Sequence, residues 1–132
     1  ALTSAQFAAL LRADGSLPVS EEHPPLLNRF LLLQRTRLFA PRVIVQYERR
    51  PLVYRAGNVR VTFDRNIASS GRFELFSEPS LPVRPVLPAG RQLLGVKYDD
   101  FLPDAIYRAV QLRSMRQETF SKYSLCRRYA LP

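Results

Sequence analysis

Gln46-Tyr47-Glu48-Arg49-Arg50 and, a few residues on, Asn58-Val59-Arg60-Val61-Thr62-Phe63-Asp64-Arg65 are the segments from which the fold of this chain is read. In the second segment Val59, Val61 and Phe63 point one way and Asn58, Arg60, Thr62 and Asp64 the other, the alternation of a half-buried strand. In the first, Val43, Val45, Tyr47 and Arg49 share a face. The pattern predicts two neighbouring strands joined by a turn around Ala56-Gly57-Asn58, with one apolar face and one face of guanidinium groups. Residues 42–65 hold six arginines against two acidic residues, a local net charge of +4. Planar guanidinium forks fixed on a sheet suit a multiply charged anion, phosphate above all. A solvated, arginine-rich sheet face has the same pattern.

The composition narrows the partner. With 132 residues the chain is long enough for one domain, 1–132, with a real core. Its 46% hydrophobic and 23% charged residues place it among soluble globular proteins rather than disordered ones. The net charge of +9 implies an anionic partner such as polyphosphate, nucleotide, nucleic acid or an acidic membrane surface. Eighteen of the twenty cationic residues are arginine, which makes the two lysines, Lys97 and Lys122, the more informative cations. Cys126 stands alone, so no disulfide framework or cysteine metal site is expected within the chain. His23 is the one histidine and sits between two glutamates and two prolines, which gives little support to Ser-His-Asp or Cys-His catalysis. No apolar run approaches the roughly 18–20 residues of a bilayer span, and the opening lacks the basic region of a signal peptide. A cytoplasmic location is the expectation, and a start at Ala1 fits a segment of a longer protein.

Taken in order, Thr3 or Ser4 caps a helix to about Ala13, with Phe7, Leu10 and Leu11 on one side. After a polar linker, Pro24-Pro25 opens a helix over 24–38 with Leu27, Phe30, Leu31, Gln34 and Leu38 at helical spacing, widened by Leu26 and Leu33. This helical lead-in fills about 1–40, and the strands with their helices about 41–126. The arginine strands are expected near 42–50 and 58–65, then a turn-rich break at 67–71 and a short third strand at 72–76. Pro79, Pro82, Pro85 and Pro88 make the following segment irregular. A further strand is expected over 91–98, with Leu94, Val96 and Tyr98 on one face and Leu93, Gly95 and Lys97 on the other. A helix over 103–113 follows, opened by Pro103 and Asp104 and striped by Leu102, Ile106, Ala109 and Val110.

Four pieces arrive in an order that carries a resemblance: Tyr47-x-Arg49, Val59-Arg60-Val61-Thr62-Phe63-Asp64, Leu93-Leu94-Gly95-Val96-Lys97-Tyr98 leading into Leu102-Pro103, and Ser121-Lys122-Tyr123. Together they resemble the C-terminal half of a VTC domain, the polyphosphate polymerase branch of the triphosphate tunnel metalloenzymes, from about residue 27 onward. The resemblance implies an α+β fold: an antiparallel sheet forming part of a triphosphate-tunnel-like β-barrel, covered by helices. It further implies that Arg49 and Arg60 bind phosphate oxygens, with Tyr47 donating a hydrogen bond beside them and Lys97 adding a cation. Ser121 and Lys122 would lie on a C-terminal helix closing over one mouth. Tyr47 also continues the apolar Val43–Val45 face and fits a core position as well.

Two departures from the family pattern shape the functional expectation. The family strand reads Leu-Glu-Val-Lys, and its glutamate holds the divalent metal; here that position is Gly95, with Asp64 the one conceivable substitute. No metal ligand is therefore assigned, and Mn²⁺ or Mg²⁺ enters only if the full domain is active. The family's N-terminal half, with its own basic strands, has no counterpart in this chain, so a second chain or an upstream segment is expected to complete the tunnel. The resulting expectation is binding of polyphosphate or nucleoside triphosphate in a basic tunnel, without turnover by this chain alone. Full activity of the resembled type would be phosphoryl transfer from ATP. The alternative is a metal-free module for polyanions or nucleic acid, although no recognisable nucleic-acid reader motif is present.

Overall fold

The computed structural model describes residues 2–112, 115 and 117–129. Four helices run through them, α1 (Ser4–Arg12), α2 (Pro25–Arg37), α3 (Asp104–Val110) and α4 (Lys122–Tyr129). The strands are β1 (Ile44–Tyr54), β2 (Val59–Ser70), β3 (Arg84–Pro85) and β4 (Leu93–Lys97). The chain divides into two compact units, Ala1–Ile44 with Gly71–Pro82 and Val45–Ser70 with Val83–Pro132.

In the first unit, Thr3 caps α1 reciprocally. Its hydroxyl accepts from the Gln6 amide at 3.2 Å, and the Gln6 side chain accepts from the Thr3 amide at 2.9 Å. α2 opens on Pro25, whose missing N–H is no loss in the first turn. Leu27, Leu31 and Gln34 form its buried seam, and Gln34 Nε2 donates to the Leu10 carbonyl at 3.0 Å, tying α2 to α1. The broad stripe expected on α2 is narrower in fact: Leu26, Phe30 and Leu38 are exposed. Leu26 lies a full residue step, about 100°, round the helix from Leu27. Leu38 has already left the helical phase, ending α2 in a left-handed conformation with φ 53°.

The third strand expected at 72–76 does not form. Phe73–Leu75 is a 3-10 turn, with the Leu75 amide donating to the Arg72 carbonyl at 3.0 Å and the Phe76 amide to Phe73 at 3.1 Å. The Arg72 and Glu74 side chains pair across it, and the Phe76 ring lies 5.6 Å from that of Phe7. Local i→i+3 bonds satisfy this short backbone where no partner strand does.

The second unit is built on a four-stranded antiparallel sheet in which β2 pairs with β1, β3 and β4. Among the described residues the sheet is open; it does not close into a barrel. β4 pairs with the first half of β2, from Arg60↔Lys97 to Asp64↔Leu93, and β3 with the second half at Ala68↔Pro85 and Ser69↔Arg84. β1 is an edge strand and so accommodates Pro51. Both long strands overrun their expected ends. β1 continues to Tyr54, and β2 continues to Ser70 through the stretch expected to be a turn, with Asn66 in the left-handed region at φ 53°. Ile67, Ala68, Ser69 and Ser70 are all buried, so small residues that read as a turn serve close packing instead. The proline-rich segment supplies β3, and the Val86 amide donates to the Ile67 carbonyl at 3.0 Å.

The β1–β2 turn depends on Gly57, which adopts φ 72°. A Cβ there would run into the Phe101 carbonyl oxygen. The Gly57 carbonyl accepts from the Asp99 amide at 3.1 Å, and Asn58 Nδ2 donates to the Asp99 carboxylate at 2.9 Å. The turn is thereby fixed to the segment that follows β4. α3 covers less than the expected 103–113, ending at Val110; Arg113 lies outside the described residues. α4 packs on β2, its buried Cys126 thiol donating to the Ala68 carbonyl at 3.7 Å. Val59, Ile67 and Cys126 are the largest fully buried side chains.

Candidate phosphate-binding face

One face of the sheet gathers most of the cations singled out by the sequence. The register sets Arg60 directly opposite Lys97 and Thr62 opposite Gly95, with Asp64 two residues further along the same face. Arg49 reaches this face from β1, and its guanidinium holds the Asp64 carboxylate in a bidentate grip, Nε to Oδ1 at 2.7 Å and Nη2 to Oδ2 at 2.9 Å. Lys122, the first residue of α4, brings its ammonium to 2.6 Å from Asp64 Oδ2. Tyr47 lies beside both cations, with Arg49 Cζ 5.1 Å and Lys122 Nζ 4.8 Å from its ring centroid. Tyr47 is thus on the polar face, not in the core; Ile44 is the buried residue of β1.

Ser121 stands immediately before α4. Its hydroxyl accepts from the Ser124 amide at 3.2 Å and its carbonyl from the Leu125 amide at 3.0 Å, so the side chain caps the helix and positions Lys122. Of the six expected residues, Tyr47, Arg49 and Lys122 form one cluster around Asp64, Arg60 and Lys97 form a cross-strand pair, and Ser121 sits at the helix entry.

The residue that sequence reasoning undervalued is Asp64. It is 2% exposed, and the Arg49 hydrogen bonds, with those of Lys122, hold its pKa down to about 2 against the opposing effect of burial. The same contact raises the Arg49 pKa above its usual value. The signal was the alternation that set Asp64 on the Arg60 face. What it could not give was the distance to two cations from other elements.

The residues of this face do not suit a divalent metal. Asp64, the carboxylate at its centre, is already shared by two cations. The position opposite Thr62 is Gly95, and no cluster of three or more His, Cys, Asp or Glu side chains with metal-binding geometry occurs among the described residues. Hard cations need several oxygen ligands. Glu48 offers none here: Arg65 and Asn66 hold it on the alternate face, at 2.8 and 2.6 Å. An open groove of about 600 Å³ is lined by Glu48, Arg50, Leu52, Phe63 and Arg65, and Arg49 of the cation cluster lines it as well.

An antiparallel sheet with cations converging on one face, and a helix reaching that face through a lysine, gives this α+β chain a local concentration of positive charge. Comparison with known families places it further: the chain belongs to the VTC domain family, whose model matches residues 4–131. The match also takes in α1, upstream of residue 27, where the resemblance began. Membership supports a polyphosphate-related, tunnel-enzyme-like function at the level of the family. No curated protein and no solved structure matches the chain significantly. None of the described helices is long and apolar enough to cross a membrane.

Proposed function

We propose that this chain binds polyphosphate or a nucleoside triphosphate along the face formed by Tyr47, Arg49, Arg60, Lys97 and Lys122, with Ser121 at the helix entry, as part of a polyphosphate-polymerase-like domain. The observation that carries this reading is the Arg60↔Lys97 pair. Two like charges directly opposite each other weaken an antiparallel pair, unless an anion bridges them. Both side chains are exposed, so a phosphate can reach them without rearrangement. Successive phosphates of a linear polyanion would then continue toward Arg49 and Lys122.

Binding is proposed to need no divalent ion, because the face offers no set of oxygen ligands for one. Turnover by this chain alone is not expected, since in-line phosphoryl transfer requires the developing charge to be neutralised at the bridging oxygens. A complete tunnel would draw its remaining strands from a second chain or from an upstream segment. The edge of β1 facing away from β2 carries no strand among the described residues and is where such strands would add. A nucleic-acid role is less well supported, because the Tyr47 ring already lies against two cations rather than offering a free stacking surface.

Titration with polyphosphate, ATP and single-stranded DNA, each in EDTA and in Mg²⁺ or Mn²⁺, tests the proposal. The expected result is binding of polyphosphate that persists in EDTA and exceeds that of DNA of equal charge. Equal binding of all three would reduce the face to diffuse charge attraction.

A further inference from the structure

Asp64 presents an apparent contradiction: a site for anions has a carboxylate at its centre. Its side chain is 3% exposed and spans two elements, gripping Arg49 of β1 with both oxygens and Lys122 of α4 with one. The cations themselves remain accessible, with the Arg49 side chain 42% and the Lys122 side chain 23% exposed. Arg49 has donors to spare, since only Nε and Nη2 face Asp64 and the guanidinium carries five N–H groups. The carboxylate is therefore buried behind two cations that both remain partly accessible to solvent.

Without it, Arg49, Arg60, Lys97 and Lys122 would be four cations on one face with no charge among them to oppose their separation. The first to leave would be Lys122, because α4 reaches this face through its first residue, at the end of the helix most prone to fray. Further along α4, one helical turn on, the Cys126 thiol makes a weak bond to the Ala68 carbonyl of β2.

We infer that Asp64 is the positioning residue of the phosphate face, an internal counter-charge that holds Arg49 and the N-terminus of α4 in their ligand-binding places before any ligand arrives. This rests on the proposed binding of polyphosphate for its functional consequence, but not for its structural one. The alternative role of a buried anion, that of a stand-in competing with the ligand for the same cations, predicts the opposite sign for its removal.

Asp64→Asn separates the two. The variant keeps the shape and gains one positive charge, so electrostatics alone would tighten polyanion binding. Positioning predicts weaker binding, by about tenfold for polyphosphate at fixed salt, together with faster amide hydrogen exchange in the first turn of α4 and unchanged exchange in β2 and β4. A melting curve establishes that the variant is folded, and Lys122→Met provides a second route should it not be. That variant should reproduce the faster α4 exchange, and Asp64→Asn added to it should change α4 exchange little further. Equal or tighter polyphosphate binding by folded Asp64→Asn would overturn the positioning role, as would α4 exchange unaltered in both variants. Absence of polyphosphate binding by the unmodified chain would instead sink the binding proposal, and the positioning claim would then be decided by the exchange data alone.

Discussion

Arg60 and Lys97 face each other across β2 and β4 as direct cross-strand partners on an exposed sheet face. A sheet selected only for stability would place opposite charges, or one charge and one hydroxyl, at such a pair. Lys97→Thr should therefore raise stability in the absence of anions, by a few tenths of a kcal/mol up to about 1 kcal/mol, while weakening polyphosphate binding. Thermal melts at low salt, with and without polyphosphate, check both signs. A variant less stable than the parent and unchanged in binding would remove Lys97 from the site.

Asp64 titrates far below its ordinary value, at about 2 against 3.8. A carboxylate whose folded pKa is depressed contributes stability that is fully present above the unfolded pKa and is lost as pH falls through the folded one. The window is thus from about pH 4 down to about pH 2, and the contribution at neutral pH is about 2 kcal/mol. Asp64→Asn should lower neutral-pH stability by roughly this amount and flatten the stability profile in that window. Denaturant melts between pH 2 and pH 7 measure it, and a profile identical to the parent's would mean that the two ion pairs contribute nothing net.

Gly57 combines a left-handed backbone with a carbonyl oxygen where a Cβ would stand. Gly57→Ala should cost about 1 kcal/mol for the conformation alone and more for the displaced Phe101 backbone. A denaturant midpoint unchanged by this substitution would contradict the tight turn.

Gly95 tests the metal question. A Cβ at this position meets Thr62 Oγ1 at 2.8 Å, and the Thr62 hydroxyl donates weakly to the Gly95 carbonyl at 3.4 Å. Gly95→Glu should therefore be destabilising, by about 1 kcal/mol, and Thr62→Ala should relieve most of the loss. The double variant is expected to bind Mn²⁺ more tightly than the parent, without gaining polyphosphate synthesis. Calorimetric metal titration and an ATP-dependent synthesis assay read the two outcomes.

The legible parts of this molecule were those with strong local rules. The alternation at 58–64 gave β2 its polar face, Pro24-Pro25 opened α2, and Thr3 capped α1. The misread parts depended on distant partners. Residues 72–76 alternate like a strand, but a strand needs a neighbour to pair with, and local hydrogen bonds took its place. Ala68-Ser69-Ser70 looks like a turn by composition, yet β3 and the buried Cys126 supply partners that make it a packed strand. At the site, the cations were visible as residue types on a face. The bridge from Asp64 to Lys122 joins residues far apart in sequence, and no local pattern encodes such a distance.

The decisive measurement is the polyphosphate dissociation constant across a salt series for the parent chain, for Arg49→Ala with Arg60→Ala, and for Arg127→Ala with Arg128→Ala. Each pair removes the same charge, but the first lies on the basic face and the second in the last turn of α4. Binding at a built site predicts a loss of about a hundredfold for the first pair, with a shallower salt dependence, and a loss of a few-fold at most for the second. Equal losses from the two pairs would contradict a phosphate face and leave only the net charge of +9 to attract polyanions.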